Sequence, residues 1–163
     1  MVMAASMVAM MVPGAAPFFV AYGRDTRRPA AIAVTAAVYV AVWAAIGLAV
    51  DSLMSQVMMP ASLALDAAAL AFAILYTFAP WSRAAHARCI EMCRRMPRRG
   101  ALVEGATYAA CCVACTAGIM VALVVVGMAN PLVMVAGAAL MVAYKLNGYS
   151  AVIRDWQAPQ SRQ

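Results

Sequence analysis

The chain has 163 residues, of which 67% are hydrophobic and 11% charged, and its mean hydropathy is +0.86. A water-soluble domain carries about a quarter charged residues, so lipid is the solvent that this surface suits. The net charge of +6 does not point to nucleic acid, because the cations lie only in short segments between apolar runs, the pattern of topology-setting charge.

Taken in order, the first apolar run covers residues 2–22 and contains Pro13, Gly14 and Pro17. Pro13 removes an amide donor from the carbonyl of Ala9, which predicts a broken helix beside Met10 and Met11. Met3, Met7 and Met10 or Met11 fall along one helical stripe. The first charge is Arg24, so the basic start of a cleavable signal is missing and the run is expected to stay in the membrane. A short loop with Arg24, Arg27 and Arg28 leads to the second run, 30–50, dense in alanine. The next loop carries Met54, Met58 and Met59 but neither Lys nor Arg.

The third run, 60–80, places Asp66 six residues past Pro60, roughly 9 Å into a helical span. An intramembrane carboxylate is a functional candidate. Its readings are a protonated group bonded to a neighbouring helix, a hard ligand, or a proton carrier, the first preferred. The inner loop 81–104 holds Arg83, Arg88, Arg94, Arg95, Arg98 and Arg99, and its part 81–97 reads as a cationic amphipathic helix at the membrane surface. Cys89 and Cys93, four apart, share one of its faces. His86 reads as a solvated residue, with a place as third ligand near Cys89 as the alternative.

The fourth run, 108–128, opens with Cys111, Cys112 and Cys115. Cys112 and Cys115 are three apart and share a face, at the mouth of the span. Ala110, Ala114 and Gly118 recur every fourth position, a spacing that lets helices approach closely in lipid. A turn with Met128 and Met134 beside it leads into the fifth run, 131–149, and a polar tail follows at 151–163. Lys145 lies near the inner end, where its stem is expected to snorkel outward.

Counting Lys and Arg over alternate loops gives an N-terminus outside and a C-terminus inside. Tyr22, Trp81, Tyr108 and Tyr149 then fall near the inner interface as aromatic anchors. The predicted fold class is all-α: a polytopic bundle of five transmembrane helices in the bacterial inner membrane, with an interfacial amphipathic helix between the third and fourth.

This arrangement sorts sulfur by side. Methionines mark the outer half, and the thiols gather at the inner interface, in a compartment that keeps them reduced. Thiolate and thioether ligands select soft ions, so Cu(I) is the expected cargo and Zn(II) a possible one. The candidate ligands are Cys89, Cys93, Cys111, Cys112, Cys115, Met7, Met10 and Met11. The competing reading is that small cysteines and flexible methionines only pack.

The runs AMMVPGAAP, LYTFAPWSRAAHARCIEMCRRMP, YAACCVACTAGIM and GMANPLVMVAGAALMVAYKL together resemble the ordered motifs of a prokaryotic family of predicted metal-binding integral membrane proteins, a domain of unknown function. The resemblance covers most of the chain. It implies metal binding and copper handling, with Cys89, Cys93, Cys112, Cys115, Met10 and Met11 as ligands. The chain departs from the pattern at Tyr144, where members carry Glu. The expected function is Cu(I) handling as a chaperone, importer or copper-enzyme assembly factor, without catalysis. Its partners would be the lipid bilayer and a copper protein or membrane complex. An accessory membrane subunit, or a thiol–disulfide enzyme using Cys112 and Cys115, are the alternatives.

Overall fold

The computed structural model describes residues 2–56, 63–94, 100–126 and 131–157, and all of its elements are helices. These are α1 (Val2–Thr26), α2 (Pro29–Gln56), α3 (Leu63–Phe78), α4 (Pro80–Arg94), α5 (Ala101–Val126) and α6 (Pro131–Gln157). Among the described residues, α2 and α5 are each long and apolar enough to cross a membrane. The pair α3 and α4, bent by 59° at their junction, makes a third if taken as one span. The expectation of five spans is supported as an all-helical apolar fold with two or three such candidates.

Several boundaries differ from the sequence expectation. Helix α1 runs unbroken through Pro13 and Pro17, since a bundle can re-satisfy the carbonyls that a proline frees. It ends at Arg27, which takes a left-handed φ of 49° and donates its amide to the carbonyl of Gly23 at 3.1 Å, a cap that satisfies one of the last carbonyls of the helix. Within the segment 81–104, α4 is described as far as Arg94, and the stretch from Ala101 already belongs to α5. Asp66 stands in the first described turn of α3, and residues 60–62, from which its depth in the span is counted, lie outside the described residues. Residues 151–157, read as tail, continue α6. Met58, Met59 and Met128 lie outside the described residues.

Helix α5 is central, packed by α2, α3, α4 and α6, while α1 lies on α2, α4 and α6. Helix α2 turns Thr35, Tyr39, Trp43 and Gly47 inward, one residue per turn of a helix with 3.6 residues per turn. Thr35 donates its hydroxyl to the carbonyls of Ala31 at 2.9 Å and Ala101 at 3.1 Å. That contact sets the arginine-bearing α1–α2 turn and the start of α5 at the same end of the bundle.

Aromatic rings connect α1, α2 and α5. Phe18 stacks on Tyr108 with centroids 3.8 Å apart and planes 7° apart, and Tyr39 meets Tyr108 at 5.7 Å and Phe19 edge-on at 5.6 Å. Such pairs contribute about 0.5–1.5 kcal/mol each beyond area burial. Tyr22 and Tyr108 are therefore core residues, 5% and 0% exposed, and not interfacial anchors. Trp81 does remain exposed.

The small-residue stripe is also only partly as expected. Ala110 and Ala114 are exposed, whereas Gly105 and Gly118 are buried. A Cβ on Gly105 would lie 2.8 Å from the backbone oxygen of Thr35, and one on Gly118 would lie 2.6 Å from Tyr76 Cβ. Gly105 faces backbone, which cannot step aside as a side chain can. The substitution Gly105→Ala is expected to lower stability by about 1–3 kcal/mol in thermal unfolding of detergent-purified protein. Ala110→Leu, on the exposed face, is expected to stay within about 0.5 kcal/mol.

Candidate metal centre

Cys112 sits at the middle of α5, eleven residues after Ala101, and not at the mouth of a span. Cys89 and Cys93 project from the buried face of α4 together with Ser82 and Ala85. This face lies on α5 with Ser82 Oγ donating to the Cys115 carbonyl at 3.4 Å. The packing brings Cys89 Sγ to 4.0 Å from Cys112 Sγ. Cys89 also interacts with the thiols of Cys111 and Cys115. All five cysteines are free thiols; Cys111 is half-buried and the others are buried.

The remaining thiols bond within their own helices. Cys93 donates to the Cys89 carbonyl at 3.4 Å, and Cys115 to the Cys112 carbonyl at 3.3 Å. Thr116 also donates to that carbonyl at 2.7 Å. The cross-helix pair is therefore Cys89 and Cys112. Two metal–sulfur bonds of ~2.3 Å, the zinc–thiolate length, span at most about 4.6 Å, so this pair is spaced to share a soft ion. Among the described residues, no group of three or more His, Cys, Asp and Glu side chains could hold a metal ion. The expected convergence of all the thiols reduces to this pair with two neighbours.

The methionines of α1 lie closer to the thiols than their sequence position suggests. Met7, Met10 and Met11 are 1%, 3% and 1% exposed, and they share one core cluster with Cys89, Cys93, Cys112, Cys115 and Met141. Tyr39 joins the two sides, its hydroxyl donating to the Met11 carbonyl at 3.4 Å. Sulfur of both kinds thus occupies one core, and the expected separation onto opposite faces does not hold for these three methionines.

Lys145 was missed as a site residue. It does not snorkel: it is 3% exposed, and its Nζ donates to Cys112 Sγ at 3.3 Å. A Cβ on Gly14 would stand 2.9 Å from Lys145 Cδ and 3.6 Å from Nζ, so the bare backbone of α1 makes room for the lysine stem. A lysine inside a membrane helix costs ~2.5–3.5 kcal/mol on insertion scales, and a sulfur acceptor within the bundle offsets part of that cost. The signal was its position, one turn from Met141 on α6, which sets it along the buried face. His86 is half-buried rather than fully solvated, with its ring edge-on to Tyr144 at 4.5 Å. Mild oxidation is expected to join Cys89 to Cys112. After cleavage at methionine, non-reducing peptide mapping should find their two fragments linked, and Cys112→Ser should abolish the link.

Comparison with the curated proteins and with the solved structures found no match. A family model described as PpoB2, copper chaperone, matches residues 1–157. The match carries the copper relation that the motifs implied, though not the name of the family that they resembled. It spans every described helix, including α4, α5 and α6, which bear the cysteine pair and Lys145. The chain belongs to the PpoB2 copper chaperone family.

Proposed function

We propose that the chain is an integral membrane chaperone that takes up Cu(I) between Cys89 and Cys112 and hands it to a copper protein. The observation that carries this reading is the pair of buried sulfurs 4.0 Å apart on α4 and α5, in a member of a copper chaperone family. Soft sulfur donors favour Cu(I) over hard cations. Zn(II) in structural sites is almost always four-coordinate, and among the described residues no set of three His, Cys, Asp and Glu ligands stands together to begin such a site. The donors that remain for a third position are thioethers, and Met10 and Met11 belong to the same core. Cys111 and Cys115 flank the pair, and Cys93 lies one turn further along α4. A thiol–disulfide enzyme needs an accessible thiolate, whereas Cys112 and Cys115 are 0% and 2% exposed.

In this reading α1, α2, α3, α5 and α6 cross the bacterial inner membrane, α4 lies toward the inner interface, the N-terminus is outside and the C-terminus inside. What supports the orientation is the collection of Arg24, Arg27 and Arg28 at the end of the bundle where α5 begins, and the lack of Lys and Arg in the loop after α2.

Two experiments test the proposal. Protein purified anaerobically with Cu(I) is expected to retain it, and Cys89→Ser or Cys112→Ser to weaken retention by at least ~100-fold, about 2.8 kcal/mol; undiminished copper in both variants overturns the site. For orientation, an impermeant thiol reagent added to intact cells is expected to label Ser52→Cys and spare Arg27→Cys. The opposite pattern reverses the topology.

A further inference from the structure

A second concentration of sulfur lies in the part of the same core nearer the end of the bundle opposite the arginine-bearing α1–α2 turn. Between α1, α2 and α5 is a cavity of about 330 Å³. Three helices each contribute one methionine to its wall: Met7 from α1, Met54 from α2 and Met120 from α5. Met7 and Met120 are 1% and 6% exposed, and Met54 is half-buried. Apart from Trp43, the rest of the lining is aliphatic.

Methionine is flexible enough to fill irregular gaps, yet here three of them line a groove that stays open, with Leu53 and Val121 of its wall exposed. Trp43 stands in the same wall and is 2% exposed. The indole also offers a π face that attracts a cation.

We propose that this cavity is a second Cu(I) site, in which the thioethers of Met7, Met54 and Met120 hold the ion against Trp43. The proposal rests on the copper reading above and extends it with a station ahead of the thiols. Thioethers are neutral and soft, so they accept Cu(I) without releasing a proton and discriminate against hard cations. With no anionic ligand to offset the charge, the ion is held more weakly here than between two thiols, as suits a place it must leave. Met7 is also one turn from Met10 and Met11, so the next sulfur along α1 already belongs to the thiol core.

The test uses the full chain in detergent, with Trp81→Phe and Trp156→Phe leaving Trp43 as the sole indole. Ag(I) serves as a redox-inert stand-in for Cu(I). Titration is expected to fill the thiols first and then quench Trp43 emission in a second, weaker phase. Exchanging Met7, Met54 and Met120 for Leu together, a swap that conserves volume at under ~1.5 kcal/mol per site, should remove the second phase and keep the first. Cys89→Ser with Cys112→Ser should do the reverse. If the triple variant does not fold, each single Met→Leu variant is expected to raise the Ag(I) concentration at half-quench about tenfold. No second phase in the parent, or one unmoved by the leucine variants, overturns this site. Loss of the first phase in the parent protein instead overturns the thiol reading alone.

Discussion

A lysine side chain surrounded by apolar helices has to find its hydrogen-bond partner within the protein, and the Nζ of Lys145 meets the sulfur of Cys112 at 3.3 Å. Much of the bundle is arranged around that requirement. Helix α6 supplies the lysine, α1 yields space at Gly14, and α5 presents the sulfur at its midpoint. Helix α4 covers the other side with Cys89. Where lipid surrounds a protein, helices gain no hydrophobic drive from meeting one another, so polar contacts of this kind and close backbone approaches choose the packing.

The same constraint explains why the centre is dry and made of sulfur. Thiols and thioethers are the side chains that can sit in an apolar core at little desolvation cost and still bind a cation. Oxygen ligands would need water or full hydrogen-bond satisfaction at that depth. Hydroxyls do occur there, and they spend their donors on backbone carbonyls: Thr116 on Cys112, Ser82 on Cys115 and Tyr39 on Met11. The bonds of Ser82 and Tyr39 cross between helices and hold them in register beside the sulfurs.

Helical class, lipid solvent and the pairing of cysteines at three- and four-residue spacing were all legible in the sequence, because each depends on local pattern. Depth was not. The stretch ALVEGAT carries a glutamate, a glycine and a threonine, and so it reads as loop. It nevertheless forms the first two turns of α5, with Gly105 set against the backbone of Thr35. Those two turns move the cysteines from an interface to the middle of a helix. Tyr22 and Tyr108 were misplaced for the same reason, since an aromatic ring near a span end and one in a core look alike in one dimension. Lys145 was misread because a snorkelling lysine and a paired one differ only in what α1 and α5 put opposite them.

The bend of 59° between α3 and α4 has a kinetic corollary. Cys89 and Cys112 are 3% and 0% exposed, so neither sulfur of the pair is open to a chelator or an acceptor protein while α4 lies flat on α5. For the site proposed above, ion exchange would require α4 to swing on the elbow at Ala79, and the dwell time of a bound ion would be governed by how often that lever lifts, more than by the strength of its bonds to sulfur.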